Sequence, residues 1–370
     1  MDRILFSRKP KPERERKPER NKEIPSYDGP DLISCLPDGV LGAIVTLLKP
    51  EEGARTAVLS RSWRPVWRSA PLNLDDSFSG VVYEEDRIRV ISQILAAHPG
   101  PVRHLATTNI QLDDNIRIYD DWLCLTVFDA LQDLVLHFTL NGLRPDELPA
   151  SALRFASLRV LDLRGCSFPS GCGTLAFPCL TYLSLRYVDI TEELLQRMIS
   201  NSPGIESLVL HANSGHRRLR LSLSRLRYLA VSVSPMPSSN VLTDLVVEDA
   251  ASLERLLLHA METGYLATGF PIVALNDKSI FKSMVPVSLV ERFSTVKILA
   301  LQMPELPKLE VVIAYLRCFP CLEKLKIKFY CYTSWKTTGP KDAVHCDPSA
   351  PVECLDHSLK TIVYRREVTG

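Results

Sequence analysis

The sequence lacks any long apolar run. Its longest uncharged stretch, residues 165–185, is interrupted by glycine, proline, serine and cysteine, whereas a membrane-spanning helix needs about 20 predominantly apolar residues. Residues 1–5 are followed at once by charged residues instead of the apolar core of a secretory signal peptide. The sequence therefore predicts no membrane span and no secretory leader, and we expect the protein in the cytoplasm, the nucleus or both.

Sequence patterns that mark catalytic sites are also missing. The chain contains no Walker-type loop, no GxGxxG, no HExxH and no GxSxG, which are common patterns of nucleotide binding, zinc hydrolysis and serine hydrolysis. We therefore expect no cofactor and no catalytic centre.

The ten cysteines do not form the framework of a small disulfide-rich domain, which favours a reducing compartment. Cys318 and Cys321 make one CxxC pair, but the second pair that a structural zinc site needs is missing. The sequence therefore predicts buried structural cysteines and no bound metal.

Charge is unevenly distributed along the chain. The net charge is +1, yet residues 1–22 alone carry a local charge of +5, which leaves −4 for the remainder. Residues 1–30 have almost nothing to bury and are predicted to be a disordered basic tail, either a solvated leader or a nuclear-import or RNA-contacting segment. Because the body is negative, we expect it not to bind nucleic acid.

Residues 31–75 are predicted to form three short helices. Val40, Leu41, Ile44, Leu47 and Leu48 recur at helical spacing before Pro50 ends the first helix. A second helix follows Pro50. Ser60 is a candidate N-cap for the third, whose apolar face carries Trp63, Val66 and Trp67. So short a segment buries too little surface to be stable alone, and something else must cover its apolar residues.

This segment closely resembles the F-box of plant F-box proteins. The resemblance lies in Leu36-Pro37-Asp38, in residues 54–61 and in the pair Trp63 and Trp67. It implies a three-helix module that docks on the small Skp adaptor of a cullin-based ubiquitin ligase. Carried over position by position, the adaptor-binding residues are Leu36, Pro37, Leu41, Ile44, Leu48, Val58, Leu59 and Trp63. Trp67 is expected to brace the module against the next domain.

Residues 76–100 are predicted to contain a linking helix. Ile88, Ile91, Ile94 and Leu95 share one helical face, and the helix should end before Pro99 and Gly100.

From residue 101 to 340 the chain repeats itself. The pattern LxxLxL, with substitutions, recurs with several starts 21 to 27 residues apart, at Leu131, Leu158, Leu180, Ile205, Leu226, Leu253, Val296 and Leu322, and a further match beyond residue 340 starts at Leu359. This period is typical of leucine-rich repeats, in which each unit adds one strand to a continuous core. The predicted fold class is thus α/β: an N-terminal F-box followed by an irregular leucine-rich-repeat solenoid of parallel strands in a horseshoe.

A second resemblance covers the later part of the chain. Residues 245–257, 319–325 and 351–363 look like plant F-box/LRR proteins that end in an FBD region. Because the FBD region of that family continues further than this sequence does, residues 341–370 are expected to be a partial FBD-like region.

Two functions remain open at this point. The resemblance implies a non-catalytic substrate receptor of a Skp-cullin-F-box (SCF) ubiquitin ligase; the alternative is an RNA-associated or scaffolding LRR protein. Because the strand leucines point inward, the intervening residues should line the concave face. The candidates for binding a protein substrate with an acidic segment are Asp162, Arg164, Tyr182, Arg186, His211, Tyr228, Arg255, Lys324, Lys326 and Lys328. Should this face prove unused, residues 260–295 are the next candidate.

Overall fold

A computed structural model shows the architecture of the chain. It describes residues 32–33, 35–59, 63–76, 83–140, 145–171, 173, 175–233, 242, 244–260, 262–263, 266–267, 272–275, 278–282, 285–286, 293–303, 309–330 and 351–367. The predicted basic tail, the Ser60 N-cap, about half of residues 260–295 and the beginning of the FBD-like region lie outside the described residues.

Three helices open the described chain, and strands with a few intervening helices follow. The helices are α1 (Asp38–Thr46), α2 (Pro50–Leu59), α3 (Trp63–Ser69), α4 (Glu84–Ala97), α5 (Leu112–Leu123), α6 (Glu192–Ser200), α7 (Leu309–Cys318) and α8 (Glu353–His357). The first ten strands are β1 (Leu72–Asp75), β2 (Val102–Ile110), β3 (Asp133–Phe138), β4 (Asp146–Glu147), β5 (Val160–Arg164), β6 (Cys166–Ser167), β7 (Tyr182–Arg186), β8 (Ser207–His211), β9 (Arg218–Ser222) and β10 (Tyr228–Val233). The second ten are β11 (Asp244–Asp249), β12 (Arg255–Ala260), β13 (Glu262–Thr263), β14 (Leu266–Ala267), β15 (Ile272–Leu275), β16 (Lys278–Lys282), β17 (Val285–Pro286), β18 (Ile298–Met303), β19 (Lys324–Tyr330) and β20 (Thr361–Glu367). Short 3-10 helices span Thr126–Phe128 and Ala150–Leu153.

One parallel sheet of eleven strands runs through the molecule in the order β1-β2-β3-β5-β7-β8-β10-β12-β18-β19-β20. Each LxxLxL pattern supplies one strand, and the strands follow one another in sequence order. Successive side chains of a strand point to opposite faces, so the leucines two residues apart in each LxxLxL pattern point to the same side. This arrangement confirms the predicted α/β fold with a parallel-strand solenoid.

The inward residues form continuous rows across the sheet. One row consists of leucine in ten successive strands: Leu74, Leu105, Leu134, Leu161, Leu183, Leu208, Leu229, Leu256, Leu299 and Leu325. All of these leucines are buried. A core built in this way is stabilised by contacts between neighbouring repeats, which is the physical basis of a solenoid.

The outer side of the solenoid is irregular, as the uneven repeat spacing predicted. Between β7 and β8 it is covered by α6, whose first turn begins with Thr191 as N-cap and buries Leu194 and Leu195. Further along, β9 and β11 belong to a separate five-stranded sheet with the order β17-β16-β15-β11-β9. The buried Leu219 of β9 pairs there with the buried Leu245 of β11.

The solenoid begins earlier than the sequence indicated. We expected residues 31–75 to be the F-box and residues 76–100 a separate linker, but β1 pairs with β2 in the main sheet. Helix α4 packs on that same core through Ile88 and Ile91. The reason is that β1 has only four residues, too few for a recognisable alternating pattern. The first repeat therefore consists of β1, α4 and β2.

A buried ion pair fixes this first repeat. The Arg87 Nε atom lies 3.2 Å from Asp76 Oδ2, and both side chains are almost fully buried. The backbone amide of Thr108 donates to Asp76 (2.7 Å), and Arg87 donates to the Thr108 carbonyl (3.0 Å). Burial raises the pKa of Asp76, while hydrogen bonds from Thr108 and the charge of Arg87 oppose that rise. The pair thus joins β1, α4 and β2.

Replacing Arg87 by methionine should destabilise the chain by about 3 to 5 kcal/mol, because Asp76 is then left buried without a counter-ion. The measurement is urea unfolding of the full chain. Arg89→Met is the matched control, since Arg89 lies on the same helix but is exposed and pairs with Asp86; its effect should stay below about 0.5 kcal/mol. Equal effects of the two substitutions would contradict the role of the buried pair.

Candidate docking surfaces

The three-helix module exposes large apolar side chains. Leu47 and Val58 are the most open, at 84% and 81% exposure. The other exposed members are Leu32, Ile33, Leu36, Val40 and Ile44. An exposed apolar surface of this kind on a small module is typical of a protein interaction site.

The predicted adaptor-binding residues divide into two groups. Leu36, Pro37, Ile44 and Val58 are exposed and Leu48 is half-buried. The side chain of Leu59 lies outside the described residues.

Leu41 and Trp63 need a correction, because they are only 3% and 9% exposed and pack in the core of the module with Val45, Val66 and Ala70. Helix α1 is apolar on two sides, so helical spacing did not show which side faces inward. Val40 and Leu47 lie on the exposed side of α1. The sequence signal for this was the presence of apolar residues on both sides of α1, since only one side can face the core of the module.

Trp67 connects the module to the solenoid, as predicted. Its ring meets the His98 ring edge-on, with centroids 4.7 Å apart. The His98 Nε2 atom lies 2.8 Å from the Trp67 carbonyl oxygen, and Asn73 Nδ2 donates to the Thr46 carbonyl oxygen at 2.8 Å. Burial lowers the pKa of His98, and the hydrogen bond with Trp67 opposes this effect. These contacts join α1 and α3 to the first repeat.

The second surface is a hollow on the solenoid face opposite the leucine rows. It has a volume of about 470 Å³ and is lined by residues of β5, β7, β8, β10 and β12 and by Tyr187. Five of the predicted substrate-binding residues line it: Arg164, Tyr182, Arg186, His211 and Tyr228. We call it the concave hollow.

The strand register explains the arrangement of the hollow. Tyr182 and Tyr228 occupy the first position of their strands and both pair with Ser207 of the intervening strand β8. Arg164, Arg186 and His211 occupy the fifth position in three adjacent strands, where they are direct neighbours. The small or apolar residues Val209, Ala230 and Leu257 lie between these two rows. One end of the hollow is therefore aromatic and the other cationic.

Asp162 lies beside the hollow and orders its cationic end. Its carboxylate is 3.4 Å from His137 Nε2 and 3.9 Å from Arg186. Burial by itself would raise the pKa of Asp162, but the polar side chains of His137 and Ser184 beside it and the charge of Arg186 outweigh it and lower the pKa. The predicted role of Asp162 thus changes from a contact on the open face to a partly buried anchor for Arg186.

Tyr187 lies at the rim of the hollow in an unusual backbone conformation. Its φ of 54° is left-handed, which is uncommon for a non-glycine residue. The equivalent position one repeat earlier is Gly165, also left-handed. The Tyr187 hydroxyl lies 3.2 Å from His211 Nε2, and the Arg164 guanidinium lies 5.8 Å from the centre of its ring. Sequence reasoning missed Tyr187, because it follows the strand instead of belonging to it.

His211 is held in its neutral form. Burial lowers its pKa, and the nearby charges of Arg186 and Arg164 lower it further. The His211 and His259 rings are 5.8 Å apart between centroids. At neutral pH the cationic end of the hollow thus carries two permanent guanidinium charges beside the neutral imidazole of His211.

The remaining predicted residues lie outside the hollow. Arg255 is exposed and pairs in register with Tyr228 at the edge. Lys324, Lys326 and Lys328 share one face of β19, two strands beyond β12. The structure thus brings together the predicted substrate-binding residues of β5 to β10 and leaves the three lysines of β19 as a separate row.

The predicted structural cysteines differ in burial. Cys318 is buried, but Cys321 is exposed, because it follows the end of α7 in the turn before β19. Within the described residues, no group of three or more histidine, cysteine or acidic side chains is arranged to hold a metal ion. No helix in the described part of the chain combines the length and apolar character needed to cross a bilayer.

Comparison with known proteins identifies the family. Residues 119–327 match the family model described as "FBD-associated F-box protein At5g56370, LRR repeats", which is more than half of the chain. The chain belongs to the FBD-associated F-box/LRR proteins. The matched residues contain the concave hollow and most of the main sheet.

Arabidopsis thaliana has several related members of this family. F-box/FBD/LRR-repeat protein At1g13570 is 30% identical over 191 residues, which cover 50% of this chain and 44% of that protein. Putative F-box/LRR-repeat protein At4g15060 is 25% identical over 59% of this chain and 54% of its own length. The chain thus spans about half of each of these two relatives. Probable FBD-associated F-box protein At1g32375 is 26% identical over 90% of this chain and 85% of its own length.

Asp162→Asn should lower the stability of this F-box/LRR protein at neutral pH. The folded-state pKa of Asp162 is depressed, so its stabilisation is present above the unfolded value of 3.8 and is lost as pH falls through the folded value. The difference between wild type and variant should therefore shrink as the pH falls below 3.8. Urea midpoints measured across this pH range test the prediction. Asp129→Asn, at an exposed ion pair with Arg154, is the control and should show little effect. A pH-independent difference for Asp162→Asn would contradict the assignment.

Proposed function

We propose that this protein is the substrate-recognition subunit of an SCF-type ubiquitin ligase. The F-box docks on a Skp adaptor and through it on a cullin, and the solenoid captures a protein substrate. The chain itself performs no chemistry in this role. Family membership supports the proposal, because F-box proteins in general bind Skp adaptors.

The exposed apolar side of the F-box carries the proposal. Leu36, Val40, Ile44, Leu47 and Val58 offer large apolar side chains to solvent on a module whose own core is small. Leaving such side chains in water is unfavourable by roughly 25 cal/mol for each Å² of apolar surface. A partner with a matching apolar surface relieves this, which is the physical reason to expect an adaptor here.

The close junction between F-box and solenoid also supports a receptor role. The Trp67 ring packs edge-on against the His98 ring, and His98 Nε2 lies 2.8 Å from the Trp67 carbonyl oxygen. A receptor that presents its substrate to a second enzyme benefits from a fixed geometry between its two binding surfaces.

The concave hollow is the proposed centre of substrate capture. It combines tyrosine and arginine, which are enriched at protein interfaces and are frequent hot spots. Its cationic end favours a substrate with an acidic segment, since opposite charges promote encounter and orientation.

The RNA-associated alternative depends on the basic N-terminal tail, which lies outside the described residues, and on Lys324, Lys326 and Lys328. Lys326 and Lys328 are exposed on the same sheet face as the hollow, so they could contact phosphate. Affinity for nucleic acid grows with the number of phosphates neutralised, and three lysines provide few contacts. The alternative therefore has weaker support.

Changing Leu36 and Pro37 together to alanine should weaken adaptor binding, because the change removes an exposed anchor and a rigid turn. Loss of an interface anchor of about 2 kcal/mol corresponds to roughly 30-fold in affinity. The measurement is titration of a purified Skp adaptor with the full-length variant. Leu140→Ala, at an exposed leucine outside the F-box, is the control and should bind like wild type. Unchanged binding of the double variant would reject the docking assignment.

Substituting Tyr182, Arg186 and Tyr228 together by alanine should abolish substrate capture and leave adaptor binding intact, since the two surfaces lie on different parts of the chain. Proteins co-purifying with wild type and variant, quantified beside the adaptor, provide the measurement. Loss of both activities would indicate misfolding. If the variant retained both substrate capture and adaptor binding, the substrate site would lie outside the hollow, and residues 260–295 would be the next candidate.

A further inference from the structure

The concave hollow has the dimensions of a small-molecule site. Its volume of about 470 Å³ falls within the range of roughly 300 to 1,000 Å³ found for ligand pockets. Tyr182 and Tyr228 stand on strands two apart, which separates their backbones by about 10 Å. The apolar side chains of Val209 and Ala230 line the hollow beside the two tyrosines, and a flat apolar group can pack on such a surface.

A buried hydroxyl at the other end has no hydrogen-bond partner. Ser232 is 7% exposed, and its Oγ atom makes no hydrogen bond in the structure. It lines the hollow on β10, between His211 of β8 and His259 of β12 in the strand register. An unsatisfied buried hydroxyl is unfavourable, and a ligand oxygen would satisfy it.

The charges around Ser232 favour an anionic oxygen. Arg164 and Arg186 both line the hollow, and none of the described residues that line it is acidic. The nearest described carboxylate, Asp162, is 3.9 Å from Arg186 and offsets part of one charge. Because His211 is neutral at pH 7, its imidazole adds a hydrogen-bonding group and leaves the charge to the two guanidinium groups. Guanidinium groups match the planar or tetrahedral oxygens of carboxylates and phosphates.

We propose that the concave hollow binds a small organic anion, with its carboxylate or phosphate held by Arg164, Arg186 and Ser232 and its flat apolar body lying between Tyr182 and Tyr228. A small molecule is favoured over a protein segment because the unsatisfied hydroxyl and both guanidinium groups lie in one hollow of ligand size. The inference deepens the proposed function and rests on it, since a bound anion would become part of the substrate surface.

Calorimetric titration of the full-length protein with phenyl phosphate tests the inference. We expect saturable binding of one phenyl phosphate per chain. Inorganic phosphate lacks the ring and phenol lacks the anion, so each should bind at least about tenfold more weakly, because each loses one of the two contact regions. Absence of saturable phenyl phosphate binding, or equally strong binding of inorganic phosphate, would overturn the proposal.

Variants assign the binding to the hollow. Arg186→Gln and Ser232→Ala should each weaken phenyl phosphate binding by about tenfold, a typical effect of losing one charged or buried hydrogen bond. Ser232→Ala removes only a hydroxyl and serves if Arg186→Gln fails to fold. Lys326→Gln, on the same face but outside the hollow, is the matched control and should bind like wild type. The site would be rejected if Ser232→Ala and a correctly folded Arg186→Gln both bound phenyl phosphate with wild-type affinity. It would also be rejected if the Lys326→Gln control lost phenyl phosphate binding.

Two further experiments are needed. One distinguishes a small-molecule anion from a phosphorylated protein segment, and the other distinguishes the anion site from the ligase role. A peptide containing phosphotyrosine carries the same aryl phosphate; if the peptide binds and phenyl phosphate does not, the hollow recognises a protein segment and the small-molecule inference is wrong. Adaptor binding by Ser232→Ala is expected to match wild type. Failure of the wild type to bind the adaptor would reject the ligase role while leaving the anion result unaffected.

Discussion

Burial of one leucine row is the constraint on which the rest of the structure depends. Ten successive strands place leucine at the same register position, and every one of these side chains is inaccessible to solvent. Full burial of a leucine is worth about 1.5 to 3 kcal/mol relative to exposure, so a shift of one residue in any strand would expose several such side chains. The register is therefore fixed across the sheet.

The fixed register also determines which side chains are neighbours on the sheet face opposite the leucine row. Residues that alternate with the leucines cannot enter the core, and their neighbours across strands are determined by the same pairing. Arg164, Arg186 and His211 are adjacent because three strands align, although 22 and 25 residues of chain separate them. The face carrying the hollow is free to vary without loss of the core, which suits a surface that must recognise a partner.

The regularity of the core also explains what sequence reasoning could and could not predict. Period-2 alternation and the recurring leucines were sufficient for the fold and for the five predicted residues that line the hollow, because register follows directly from the repeat. Tyr187 was missed because it lies in a left-handed turn after its strand. Leu41 and Trp63 were misplaced because helical periodicity shows an apolar face without showing what covers it. The start of the solenoid was predicted too late in the chain, because β1 is only four residues long and shows no recognisable alternation.

The F-box and the concave hollow are connected by a continuous series of packed elements. The F-box contacts β1 and the segment after α4 through Asn73 and His98, and β1 and α4 are joined to β2 by Asp76 and Arg87. From β2 onward, each strand is hydrogen-bonded to the next as far as the hollow. Packed elements of this kind resist bending, because interiors are dense and have few alternative arrangements. A change at the hollow is therefore expected to leave the F-box in place, so a ligand there would act by changing what the substrate surface can bind.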